Sequence, residues 1–290
     1  MIQKNNLTLD KACNLFKEAI ARKKLSDSTI VAYMTDLNQL CQFLKQAKIT
    51  DWTEVTEEHF ASFQKKLHTQ GYEPISLARK INAFRLFFCF LEEQKLLTNN
   101  PLKGFHSPKF LRSAPRILSR MEYRALRDIC RHNPRTAALV EIFLQTGLRV
   151  SEVTNLNLAD VKNNNLIIRP IKQIPQREIP LANPLKLALE RYLKGRNKGE
   201  YPSLFITKRG TPLLVRNLTT IIMRCFYNAE IKNACLNTLR HTWIYHQLLA
   251  GIPLEIVSRL AGHKHIGSTA VYLNLIEKKP SLIKSQLKEL

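Results

Sequence analysis

A chain of 290 residues with 45 Lys and Arg against 23 Asp and Glu has a formal net charge of +22, far beyond what solubility requires. That balance implies a polyanionic partner, nucleic acid first, although a ribosome-associated or membrane-surface protein shares the sign. The length is comfortable for two domains, and 44% apolar with 23% charged residues excludes a disordered chain.

In chain order, Ile30, Tyr33, Met34, Leu37, Leu40, Cys41 and Leu44 recur at helical spacing and predict an amphipathic helix over 28–44, with Ser26 or Ser28 as its cap. Leu77, Ile81, Phe84, Phe88 and Leu91 predict a second, and weaker patterns mark 9–23 and 56–69. The first hundred residues therefore read as a four-helix domain, 1–100. From Asn99 to Arg116 the periodicity stops, and Pro101, Gly104, Pro108 and Pro115 stand among basic residues. That reads as an extended, exposed linker, placed at 101–117. A second domain, 118–290, opens with helices near 119–131 and 135–146. Leu166 to Ile171 and Arg177 to Leu181 then predict a hairpin around Pro175, Leu204 to Ile206 a further short strand, and the rest to about 277 mostly helix.

The basic charge is uneven. Residues 1–106 hold 15 basic and 11 acidic side chains, and 107–290 hold 30 and 12, so the field sits on the second domain. The six cysteines form no C-x-x-C pair and no Cys/His cluster, which argues against structural zinc and a disulfide framework and fits a reduced compartment. The N-terminus has no apolar run of signal-peptide or membrane-span length, and a cytoplasmic protein is expected.

Three clusters contain groups able to hold and break a phosphodiester. In TGLRVSEV, Gly147 interrupts a helix, and Arg149 and Glu152 lie three apart at the start of the next. A guanidinium can fork onto two phosphate oxygens, which Lys cannot do. In LNTLRHTW, Asn237 and Arg240 share a helical face, followed by His241 and Trp243, with Asn237 or Thr238 as the helix cap. In LAGHKHIGSTAVYLNL, Gly262 ends a helix, His263 sits at the turn, Ser268 or Thr269 caps the next helix, and Tyr272 falls on it. Each cluster alone also fits an ordinary surface pair, helix start or packing tyrosine.

Taken in order, Arg149, a lysine in the hairpin, Leu239-Arg240-His241, Gly262-His263 and Tyr272 resemble the signature of the tyrosine recombinase and integrase family, closest in length to its Xer-type and phage-integrase members. The resemblance covers nearly the whole chain. It implies a mainly α (α+β) fold: an N-terminal four-helix SAM-like core-binding domain, a basic linker, and a mostly helical catalytic domain with a small antiparallel β-sheet. Tyr272 is then the nucleophile, Arg149 and Arg240 the phosphate-binding arginines, Lys172 the hairpin lysine in register with Arg177, Pro180 and Leu181, His263 the late histidine and Glu152 a supporting acid. One position departs from the pattern: Asn237 stands where the family most often has His. An amide hydrogen-bonds but takes no part in proton transfer, so tuned or reduced activity is expected.

The implied reaction is cleavage through a 3′-phosphotyrosyl link and rejoining to a new 5′-hydroxyl, needing neither metal, cofactor nor ATP. The implied partner is double-stranded DNA, with a homo- or hetero-tetramer assembling on two sites. Arg79 and Lys80, on the polar side of the Phe84 and Phe88 helix, are candidate DNA contacts or equally an exposed charged face, and Leu282, Ile283, Leu287 and Leu290 form an amphipathic tail suited equally to docking on a neighbouring protomer and to folding back on its own domain. The rivals are a type IB topoisomerase-like enzyme and a DNA-binding regulator of the same fold with weakened catalysis, which Asn237 favours.

Overall fold

The structure, a computed structural model, describes residues 7–23, 25–107, 113–162, 164–170, 174–197 and 200–277. The chain divides into two compact units, Met1–Arg112 and Ser113–Leu290.

The first unit is built from α1 (Leu9–Arg22), α2 (Asp27–Gln46), α3 (Glu57–Thr69) and α4 (Pro74–Glu93), with a 3-10 turn at Trp52–Glu54. Ser26 caps α2 by accepting from the Thr29 amide at 3.2 Å, and Pro74 opens α4, where its missing N–H costs nothing. Trp52 is fully buried and donates its indole N–H to the Leu9 carbonyl. Its ring lies 4.7 Å from Phe87 and 5.5 Å from Phe88, so α4 supplies the aromatic centre of this core.

Two expectations are corrected here. Lys80 is buried, not exposed: α4 buries side chains around most of its circumference, and the Lys80 ammonium is 2.8 Å from the carboxylate of buried Asp36. Arg79 forks onto the same carboxylate at 2.6 and 3.0 Å with half of its side chain exposed. The expected linker is not extended throughout either. Leu102 and Phe105 are buried in the first core, and Arg85 donates to the Phe105 carbonyl at 2.6 Å.

The second unit comprises α5 (Arg120–Cys130), α6 (Pro134–Thr146), α7 (Val150–Thr154), β1 (Val161–Lys162), β2 (Asn165–Ile168), β3 (Arg177–Pro180), α8 (Asn183–Lys194), α9 (Val215–Asn228), α10 (Leu236–Leu249), α11 (Leu254–Ala261), α12 (Gly267–Ala270) and α13 (Leu273–Glu277). α6 packs against α5, α8 and α10, which its nearly continuous burial from Ala138 to Phe143 requires. Leu118 enters this core and its amide donates to Thr242 on α10.

The sheet is antiparallel in the order β1-β2-β3, with Leu166 opposite Ile179 and Ile168 opposite Arg177. Alternation along β3 buries Arg177 and Ile179 and exposes Glu178 and Pro180, so strand geometry carries a guanidinium into the interior. The expected strand at 204–206 is absent among the described residues. Isolated bridges Asn157 to Ser203 and Ile206 to Pro212 occupy that stretch, and the two-residue β1 supplies the third strand. Lys172 lies outside the described residues, as do Pro108 and the amphipathic tail.

Candidate active site

α6 ends at Gly147, in the left-handed conformation at φ 61°. A side chain here would meet Trp243 of α10, whose Cε3 lies 2.3 Å from where a Cβ would stand. The chain turns at once into α7, with Arg149 as its N-cap and Glu152 reaching back to the Arg149 amide at 2.7 Å. This local turn fixes the first guanidinium.

α11 ends in the same manner at Gly262, φ 69°. A Cβ there would lie 2.8 Å from Cζ of Arg177, so both glycines are required for conformation and for close approach. The carbonyls around these two helix ends receive the arginines. Arg149 donates to Gly262 at 2.9 Å and to Ala261 at 3.4 Å. Arg240, buried on the first turns of α10, donates to Gly147 at 2.6 Å and to Ala261 at 2.8 Å. Helix C-terminal carbonyls lack intrahelical partners and carry partial negative charge, which suits cations. The two guanidinium groups therefore meet at one carbonyl oxygen although their residues are 91 positions apart in the chain.

Arg177 completes the cluster, donating to Leu260 at 2.7 Å and to buried Glu152 at 2.9 Å. Two guanidinium groups, of Arg149 and Arg177, thus pair with one carboxylate, whose charge the third, Arg240, also feels. Burial and the Arg149 charge pull Arg240 down to about 10, which leaves it cationic at neutral pH. The surplus positive charge suits a bound anion, and phosphate fits a fork of guanidinium donors.

His263 follows Gly262, and its Nδ1 is 2.6 Å from Thr269 Oγ1. Burial, then Arg240 and Arg149, push it down to about 4, so the imidazole is neutral at pH 7. Tyr272 is buried within a cluster of Trp243, Ile244, Tyr245, Leu248, Val257 and Ala261. Its hydroxyl lies 2.5 Å from His241 Nδ1. Burial raises the phenol, and Arg240 opposes the rise through its charge. Asn237 is exposed on the first turn of α10.

Three local expectations change. Tyr272 does not lie on a helix capped by Ser268 or Thr269: α12 begins after Ile266 and stops at Ala270, and Tyr272 occupies the turn before α13. Thr269 is instead engaged by His263. The cap of α10 is Cys235, with Thr238 accepting from its amide, rather than Asn237 or Thr238. In the sequence Arg177 served only to set the hairpin register, and His241 had no assigned role. The signals were present, in the inward position of Arg177 beside Ile179 on an alternating strand and in the four-residue step from Asn237 to His241.

Among the described residues no group of three or more His, Cys, Asp or Glu could hold a metal ion, and no helix is long and apolar enough to cross a membrane. Cys13 and Cys41 are free, with their sulfurs 3.6 Å apart.

Residues 116–279 match the phage integrase family, and residues 13–95 match the phage integrase N-terminal SAM-like domain. The chain is 31% identical to tyrosine recombinase XerC of Roseiflexus castenholzii over 266 residues, covering 87% of this chain and 85% of that protein. It is 32% identical to XerC of Anoxybacillus flavithermus over 279 residues, covering 90% and 92%. Among solved structures, a lambda integrase dimer bound to a COC′ core site superposes with a TM-score of 0.78 at 17% identity, over 93% of this chain and 78% of that one. XerA recombinase superposes with a TM-score of 0.54 at 22% identity, over 97% and 100%.

Proposed function

This chain belongs to the phage integrase family as a tyrosine recombinase of the Xer type, and on that premise we propose how its own residues break and rejoin DNA strands at specific sites. Tyr272 Oη attacks the scissile phosphate, and the bond to O5′ breaks as the bond to the phenol oxygen forms. The 3′-phosphotyrosyl link conserves the bond until a 5′-hydroxyl displaces the tyrosine, so rejoining proceeds without ATP.

Arg149 and Arg240 hold the nonbridging oxygens. The observation that carries this reading is their convergence on the Ala261 carbonyl, with the nucleophile candidate Tyr272 under the influence of the Arg240 charge. Donors fixed before substrate arrives need no reorganisation as charge develops, and such preorganisation is the largest common contribution to catalysis. Lys172 protonates the departing O5′, His263 donates to the phosphate from Nε2 while Thr269 holds Nδ1, and Glu152 orients Arg149 and Arg177.

The net charge of +22 supplies affinity for the duplex through phosphate contacts, and residues 1–100 with the basic stretch 101–117 share that contact with the catalytic domain 118–290. Lambda integrase occurs as a tetramer bound to a Holliday junction. The same assembly on two DNA sites supports strand exchange here, in the cytoplasm.

A duplex recovered by selecting bound sequences from a random pool, then nicked beside the crossover, tests the reading. The wild-type chain should form a covalent adduct that survives denaturing electrophoresis and is absent in Tyr272→Phe. Binding without any adduct supports a DNA-binding protein that has lost catalysis. Relaxation of supercoiled DNA without partner exchange supports a topoisomerase.

A further inference from the structure

Asn237 and His241 are four residues apart on α10 and so occupy the same face, one turn apart. Asn237 stands where the sequence pattern calls for imidazole, and its amide cannot take up a proton. His241 can. Its Nδ1 is 2.5 Å from Tyr272 Oη, and the two rings lie 5.8 Å apart between centroids at 40°. The second histidine of the cluster is differently engaged, with His263 Nδ1 bound to Thr269.

We propose that His241 accepts the Tyr272 hydroxyl proton during attack, so that the imidazole missing at position 237 acts from one turn further along α10. This rests on the reading of Tyr272 as the nucleophile. The bond from Oη to phosphorus forms, the bond from phosphorus to O5′ breaks, the phenol proton passes to Nδ1, and O5′ takes a proton from Lys172. In rejoining, the incoming 5′-hydroxyl gives its proton back to Lys172 as it displaces Tyr272, and the proton on Nδ1 returns to the phenol oxygen.

The electrostatic setting agrees. The groups acting on His241 are Arg240 beside it, Tyr272 against its ring and His263, which senses its charge. Burial, then the Arg240 charge, lower His241 below its ordinary value of 6.5, keeping it neutral and receptive at pH 7. A proton arriving on Nδ1 is held only weakly there, which favours its return in the second half of the reaction.

Single-turnover cleavage of the nicked duplex between pH 5 and 9 decides the matter. The wild-type rate should fall on acidification as His241 becomes protonated. His241→Asn, which keeps a hydrogen-bond acceptor but cannot take the proton, should lose at least ~100-fold in rate, the lower end for a general base, and lose the acidic limb. A merely structural role would leave that limb in place. An adduct formed by His241→Asn at the wild-type rate, with the limb retained, overturns this inference alone, whereas no adduct from the wild-type chain overturns the reading of Tyr272 and this one with it. Nitrogen NMR of the DNA-free chain guards against a variant that does not fold. The His241 imidazole should be the Nε2–H tautomer with Nδ1 accepting from Tyr272, and its signal should move in Tyr272→Phe; an Nδ1–H tautomer overturns the proposal.

Discussion

Replacing Gly147 by Ala asks two things of the chain at once. At φ 61° a residue with a Cβ pays for the left-handed conformation, about 1–2 kcal/mol. The new methyl would also stand 2.3 Å from Cε3 and 2.8 Å from Cδ2 of Trp243. Trp243 is 4% exposed, so the ring has little room to retreat, and overpacking of this kind costs about 1–3 kcal/mol. The expected loss is about 2–5 kcal/mol from the two effects together. Gly251 provides the reference, since its φ of 82° carries a similar conformational cost while nothing lies within 4 Å of its Cβ position. Urea unfolding followed by tryptophan fluorescence, with Trp52 in one unit and Trp243 in the other, measures both variants. Gly147→Ala should be the more destabilised by about 1–3 kcal/mol, and equal losses would refute the ring contact as the cause. Because the Gly147 carbonyl accepts from Arg240 at 2.6 Å, a folded Gly147→Ala chain should also cleave more slowly.

Other substitutions probe the buried charges. Glu152, with a side chain 2% exposed, is the carboxylate of the three-arginine cluster, and Glu152→Gln should destabilise the second unit by about 3–5 kcal/mol in thermal unfolding, with an unchanged transition counting against it. Asp36→Asn leaves the Lys80 ammonium buried without its counter-ion and should cost the first unit a comparable ~3 kcal/mol, read by the same scan. Acid should also destabilise the chain through its histidines. His241, His246 and His263 are all held below 6.5 by burial, so the unfolded chain binds protons that the folded one refuses, and stability drops as pH falls. For His263 the window runs from 6.5 down to about 4, and His263→Gln should flatten the decline of melting temperature across it. A parallel decline in both chains would refute that assignment.

The helices were legible where burial follows the 3.6 period closely, as in α2, where Leu37, Leu40, Cys41 and Leu44 face the core. α4 was located by the same signal, but the fate of Lys80 was not, because its partner Asp36 is 44 residues away and no local pattern announces the pair. Short elements are governed by tertiary contacts. α12 and α13 are too brief for a periodic signal, so the turn that holds Tyr272 could not be told from a continuous helix. The arginine cluster was legible in composition only. That Arg149 and Arg240 would share the Ala261 carbonyl depends on two left-handed glycine turns and on the packing of α6, α10 and α11. Arg177 served to fix hairpin register, and its inward direction became visible with the pairing of Ile168 to Arg177.

The arginines at the centre of this molecule lean on peptide oxygens of residues 147, 260, 261 and 262. Every amino acid carries that same oxygen, so the support is written into the path of the main chain more than into the alphabet of side chains. Substitutions at Leu260 or Ala261 that preserve the course of the backbone leave the acceptors standing. Such an arrangement lets the surrounding sequence drift widely while the arginine cluster keeps its shape, provided the two glycines that bend the chain are kept.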